Sequence, residues 1–198
     1  MSASPVEIKA ALRLQLRERL HSLSAEERSQ ASAQIRQRLA GQPVWQKAQS
    51  VLFYVPTHNE PDLWPLAIEA LSLGKSVSLL RHVADTDSYV PCLIREPSSD
   101  LLPGRFGIPE PAARCPIFPS KQLDLALVPG IGFTLDGGRL GRGKGYFDRL
   151  LVEVPGFKCG VAFDCQLTAE IPLEPHDVRL NCILTPTRWH LVTGQPRS

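Results

Sequence analysis

No apolar run in this 198-residue chain approaches the roughly 20 residues that span a bilayer, so no membrane function is expected. The amino terminus, MSASPVEIKAALRLQLRERL, is charged throughout and lacks an apolar core, so no export signal is expected either. Cysteines number only five, an odd count with no C-x-x-C pair. That speaks against a disulfide framework or a structural zinc site, and for reduced thiols in the cytoplasm. His58, His82 and His176 have no ligand spacing of the H-x-x-x-H kind, and no G-x-S-x-G elbow for acyl transfer occurs. Net charge is only +2, with basic residues interspersed among acids, which leaves no nucleic-acid footprint. No internal repeat is found.

What is present is ordinary globular composition, 43% hydrophobic and 21% charged, in a length that suits one domain over residues 1–198. Ser4 and Ser24 each precede a Glu by three residues, the capping-box spacing, and so predict two opening helices. Ile8, Leu12, Leu16 and Leu20 or Leu23 form the apolar stripe of the first; Gly41 and Pro43 end the second. From residue 50 strands alternate with helices. SVLFYV, KSVSLLR, YVPCLI, LDLALV, KCGVAF and CILT read as strands, with Pro91 marking YVPCLI as an edge. LWPLAIEALSLG and the stretch from Tyr146 to about Val154 read as helices. This alternation predicts an α/β fold with an open, mostly parallel sheet flanked by helices, plus the N-terminal helical pair. The proline-rich stretch 96–120 is expected to be irregular, and the C-terminus frayed.

One segment stands apart. GGRLGRGKGYFDRLL, Gly137 to Leu151, counted from Gly138 spells G-x-x-x-x-G-K, yet Gly145 follows Lys144 where a Walker A loop needs Ser or Thr. It lies between a strand and a helix, where backbone N–H groups and a helix N-terminus favour an anion. Gly141, Gly143 and Gly145 free the backbone for close approach, and Arg139, Arg142 and Lys144 add positive charge. A phosphate cradle is therefore the favoured reading over a flexible turn. Asp148 suits either a metal or the helix dipole, and spacing alone does not choose. Tyr146 and Phe147 are either packing residues or stacking platforms. Lys9, Arg13 and Arg17 share a helix face, as a solvated stripe or as phosphate ligands if that helix packs over the crevice. Ligands of open parallel sheets sit beyond the strand C-termini. That rule collects His58, Glu60 and Asp62, the glycine segment, Asp164 and Gln166, and His176 and Asp177 at one crevice.

Taken together, K-x-x-L-R from Lys9 to Arg13, YVPTHNEPD, GIPEP, LDLALVPGIGF, GGRLGRGKGYFDRLL, GVAFDCQ and PHDVRLNCILT make the chain resemble the 5-formyltetrahydrofolate cyclo-ligase family over nearly its whole length. The resemblance implies a Rossmann-like single-domain enzyme, ATP- and Mg²⁺-dependent, that closes 5-formyltetrahydrofolate to 5,10-methenyltetrahydrofolate. It implies nucleotide binding by Lys9, Arg13 and the run Gly138, Arg139, Leu140, Gly141, Arg142, Gly143, Lys144, Gly145 and Tyr146. Glu60, Tyr146 and Phe147 would meet the folate, and Asp148 and Asp177 the magnesium. Lys144, Arg142 and Arg139 are the expected catalytic cations. Phe147, Thr134 and Asn181 depart from the family's usual Tyr, acid and acid. Expected partners are ATP and a reduced folate, with no nucleic acid or membrane, in a cytoplasmic monomer. The alternatives are another ATP-dependent kinase or NTPase, against which the missing Ser/Thr counts, and a nucleotide- or folate-binding protein without turnover.

Overall fold

The computed structural model describes residues 4–193, so part of the expected frayed C-terminus, residues 194–198, lies outside the described residues. Helices α1 (Pro5–His21) and α2 (Ala25–Ala40) begin at the two predicted capping boxes. The Ser4 hydroxyl accepts from Glu7 N at 3.3 Å while the Glu7 carboxylate accepts from Ser4 N at 2.8 Å. Each such cap contributes about 1 kcal/mol. Gly41 closes α2, but Pro43 does not merely stop it: it opens a short helix, α3 (Pro43–Lys47). A proline at the first helical position loses no hydrogen bond, which is why the same residue can end one helix and begin another.

Strand β1 (Ser50–Leu52) leads through α4 (Trp64–Ser72) to β2 (Ser76–Val83), which turns back as β3 (Ser88–Ile94). The expected irregular stretch contains a four-residue helix, α5 (Pro97–Asp100), and a small antiparallel hairpin of β4 (Leu101–Pro103) and β5 (Pro109–Pro111). Next comes β6 (Leu125–Val128), then a second hairpin of β7 (Gly132–Phe133) and β8 (Arg139–Leu140), then α6 (Tyr146–Glu153). The chain finishes with β9 (Phe157–Val161), β10 (Cys182–Leu184) and β11 (Trp189–Leu191), the last not foreseen.

The main sheet runs β11-β10-β9-β6-β1-β2-β3. Its five inner strands are parallel; β3 and β11 pair antiparallel at the two edges. Pro91 thus sits on an edge strand, where its missing donor is harmless. Period-2 alternation assigns residues to faces. Val51, Phe53, Leu125 and Leu127 pack with Leu20, Ile35 and Leu39 of α1 and α2, whereas Leu52, Ala126 and Val128 pack with Leu150 and Leu151 of α6. Leu16 of α1 is buried with Leu140 and Ile131, while Ile8, expected in the same stripe, is 38% exposed. The stripe faces the β7–β8 hairpin rather than continuing to the helix start. No helix among the described residues is long and apolar enough to cross a membrane.

Candidate active site

Strand order reverses between β1 and β6: from β1 the chain winds out to β2, then returns to β6 on the other side. Such a switch point opens a crevice beyond the strand C-termini. A cavity of about 230 Å³ lies there, lined by Tyr54, Val55 and Glu60 after β1 and by Pro129 and Gly130 after β6.

The glycine segment supplies another wall, but only its second half behaves as a loop. Gly138, Arg139 and Leu140 form the return side of the β7–β8 hairpin. The Gly138 N–H donates to Thr134 Oγ1 at 3.0 Å, and Leu140 is 1% exposed in the cluster with Leu16. Gly138 and Leu140 thus stand outside the cavity lining: the first has its donor occupied, the second its side chain in the core. This also answers the Walker A count, since its opening residues are hairpin backbone. From Gly141 the chain is free of the hairpin. Gly143 and Gly145 take φ of +99° and +66°, a region that side chains disfavour, and Gly145 directly precedes α6. Thr134 and Asn181, the two departures in short loops, both serve backbone: Asn181 Oδ1 accepts from Lys158 N at 2.7 Å.

Arg139, expected among the phosphate-facing cations, is buried. Its guanidinium donates to Asp148 Oδ1 at 2.8 Å and to the Pro129 carbonyl at 3.2 Å, and lies 5.6 Å from the Phe147 ring. It lines the cavity floor as an anchor for α6. Arg142 donates to Glu60 Oε1 at 2.8 Å and to Thr57 Oγ1 at 2.9 Å. The second Glu60 oxygen accepts from Thr57 N at 2.9 Å, so this carboxylate is held in place and only 9% exposed. Lys144 is exposed on the same wall, with no bond or ion pair recorded for its ammonium. Tyr146 and Phe147 line the cavity; Tyr146 also packs edge-on against Tyr89 with ring centres 4.9 Å apart.

Helix α1 does pack over the glycine segment. Arg13 Nε donates to the Gly141 carbonyl at 3.0 Å, and its guanidinium lies within 3.9 Å of where a Cβ on Gly143 would stand. Lys9 is buried, with Nζ 2.7 Å from Glu174 and 2.8 Å from Asp177. Burial lowers the affinity of Lys9 for its proton, but the bonds to Asp177 and Glu174 outweigh it, and its pKa ends above the usual lysine value. For Asp177 burial acts upward, and the Lys9 bond together with the Glu174 N–H overrides it downward. Arg17 is exposed, so the predicted basic stripe divides into two engaged residues and one solvated residue.

The other collected polar residues do not join the cavity. Gln166 is fully buried and donates to the Gly130 carbonyl at 2.7 Å, shaping the loop after β6. Asp164 accepts from Thr187, Asp62 caps α4 through Trp64 N, and His176 is exposed. Asp148 and Asp177 are engaged by different cations, Arg139 and Lys9. No group of three His, Cys, Asp or Glu side chains among the described residues is arranged for a metal ion. A protein-built cage is thus absent from the described residues. A magnesium ion that arrives on nucleotide phosphates needs only one or two carboxylates; Asp148 lines the cavity, whereas Asp177 stands beside Lys9 outside its lining.

Sequence reading missed an entire wall. Tyr89 reaches the cavity from β3, Arg105, Phe106 and Ile108 from the turn joining β4 to β5, and Glu110 from β5 itself. The aromatic between two glycines in GRFGIPEP was the available signal, but the proline content of its surroundings read as irregular structure.

A family model described as the 5-formyltetrahydrofolate cyclo-ligase family matches residues 5–186. The chain is 30% identical over 189 residues to the 5-formyltetrahydrofolate cyclo-ligase of Mus musculus, covering 89% of this chain and 92% of the relative. Against the Escherichia coli K12 protein of the same name, identity is 30% over 178 residues, with coverage of 87% and 97%. Among solved structures, the 5,10-methenyltetrahydrofolate synthetase of Aquifex aeolicus superposes with a TM-score of 0.84 at 33% identity, over 96% of this chain and 95% of the other.

Proposed function

Because the chain belongs to the 5-formyltetrahydrofolate cyclo-ligase family, we propose that it converts 5-formyltetrahydrofolate to 5,10-methenyltetrahydrofolate at the expense of ATP, releasing ADP and phosphate. The observation that carries this reading is the joint placement of Glu60, Tyr146, Phe147, Arg142 and Lys144 around one cavity at the sheet's switch point. A flat heterocycle fits between the aromatic wall and Glu60. Phosphates fit the Gly141–Gly145 loop, where Lys144 is exposed and Arg13 is close by.

The chemistry explains the cations. A formyl carbon on N5 is a weak electrophile because the nitrogen lone pair is delocalised into the carbonyl, and the oxygen is a poor leaving group. The formyl oxygen attacks the γ-phosphorus and the bond to ADP breaks. N10 then attacks the formyl carbon, loses its proton, and the C–O bond breaks with departure of phosphate. Such a sequence demands positioned positive charge around the moving phosphoryl group more than an acid–base pair. Lys144 and Arg142 lie where that charge is wanted. Arg139 acts from the floor by holding Asp148 and Phe147. Asp148 or Asp177 would hold a magnesium ion brought with the nucleotide, which would neutralise phosphate charge. Lys9 and Arg13 fasten α1 to this side of the loop. On this reading the protein works as a monomer in the cytoplasm.

The decisive experiment incubates the protein with ATP, magnesium and 5-formyltetrahydrofolate and follows the absorbance of the methenyl product together with ADP release. ATP binding with no methenyl product would overturn the proposal. ADP release without folate turnover would favour a kinase or NTPase.

A further inference from the structure

A second charged group borders the cavity on the wall that sequence reading missed. Arg105 sits at the turn between β4 and β5 and lines the cavity with a side chain 38% exposed. All its recorded side-chain hydrogen bonds leave one nitrogen. Nη1 is 2.6 Å from Asp87 Oδ1, 2.7 Å from His82 Nε2 and 3.2 Å from the Tyr146 hydroxyl. That hydroxyl in turn donates to Asp87 at 3.1 Å. The main chain is tied as well, because Arg105 N donates to Glu110 Oε1 at 3.0 Å and His82 N to the other Glu110 oxygen at 2.8 Å.

Stability does not account for this arrangement. Exposed ion pairs contribute little, since water screens them and long side chains lose freedom. Two non-glycine residues also take the left-handed conformation to build it, Asp87 at φ +42° and Phe106 at φ +60°. Local strain of this kind is retained where geometry matters. The result is one guanidinium edge fixed and the other, Nε with Nη2, left without a recorded hydrogen bond, while the guanidinium lies 5.0 Å from the centre of the Phe106 ring. That edge is the side-on fork that grips a carboxylate through two parallel bonds.

The cavity wall is otherwise largely apolar, with Val55, Leu80, Ile108 and Phe147; Arg139 is buried against Asp148, and Arg142 belongs with Lys144 to the glycine segment assigned to phosphate. With Lys144 assigned to phosphate, Arg105 is the cation at this wall that remains for a second anion. A folate has such a group, a glutamyl tail with two carboxylates at the end of a flat, mostly apolar body. Resting on the cyclo-ligase reading, we propose that Arg105 binds a carboxylate of the substrate's glutamyl tail, with Asp87 as its positioning residue. The hairpin turn thereby sets specificity for the anionic end of the substrate, apart from the phosphate chemistry.

The test compares steady-state kinetics of the full chain on 5-formyltetrahydrofolate and on its tail diamide, in which both carboxylates are amides. Arg105→Met is expected to raise KM for the acid about ten-fold, with kcat within about two-fold and KM for the diamide unchanged. Arg105→Lys keeps the charge but not the fork and should recover part of the loss. Asp87→Asn should give a smaller rise, again confined to the acid. Unchanged KM for the acid in Arg105→Met, or equal rises for acid and diamide, would overturn the assignment while leaving the cyclo-ligase reading intact. A wild-type protein that turns over neither substrate overturns both.

Discussion

Replacing Arg139 by Met separates an anchoring role from a phosphate-binding one. The guanidinium is 96% removed from solvent, as its 4% side-chain exposure shows, and holds Asp148, whose own exposure is 15%. Met keeps most of the volume, so the loss is electrostatic: one charge-assisted bond, one bond to the buried Pro129 carbonyl and the contact with Phe147. Breaking one partner from a buried pair costs about 3–5 kcal/mol. Asp148 borders the cavity and regains some water, and one Arg139 nitrogen, Nε, has no partner to lose. About 3 kcal/mol is therefore the expected loss. For a chain of this size that is a fall in Tm of roughly 6–12 °C. Lys144→Ala is the internal control. It removes an exposed side chain with no recorded partner, so Tm should stay within about 2 °C, while turnover falls by about 10³-fold if Lys144 meets the transferring phosphoryl group. Thermal and urea melts of both variants, followed by the methenyl-product assay, read the two effects. Should Arg139→Met melt like the wild type yet lose turnover as Lys144→Ala does, the anchoring argument is wrong and Arg139 belongs with the phosphate.

Glu60→Gln should raise KM for the folate by about ten-fold or more, the worth of a hydrogen bond to a charged group, while KM for ATP moves less than about two-fold; a rise confined to ATP would misplace the folate. Lys9 has a pKa raised above the 10.5 of a free lysine, so its contribution is full below pH 10.5 and is lost as pH rises through the folded value. Asp177, lowered below 3.8, contributes above that value and loses its contribution as pH falls through its folded pKa. The α1 latch should thus be intact between about pH 4 and 10, and Lys9→Met should flatten the acid limb of a plot of Tm against pH. Gly160→Ala would set a Cβ 2.6 Å from Leu180 and 2.9 Å from Phe133, and should cost about 1–3 kcal/mol by overpacking, measured by urea unfolding.

Local physics made much of the molecule legible before any coordinates. Capping boxes, apolar alternation and proline placement specify neighbours in sequence, which is why α1, α2, the main strands and the edge position of Pro91 followed from residue types alone. The glycine segment was equally plain, because glycine, cation and aromatic residues are concentrated within it. Which of its residues face a ligand was another matter. Gly138 and Leu140 pair with Thr134 and Leu16, Arg139 pairs with Asp148, and only packing at a distance turns half of an apparent phosphate loop into hairpin and floor. The same holds for Gln166, which reads as a crevice residue and is in fact buried against Gly130. Arg105 and Asp87, 18 residues apart, meet only because β3 and the β4–β5 turn fold onto one edge of the sheet. Periodicity and caps are written in short windows and so can be read from the chain. The orientation of a side chain toward a cavity depends on partners brought together by the whole sheet, and tertiary structure alone decided it.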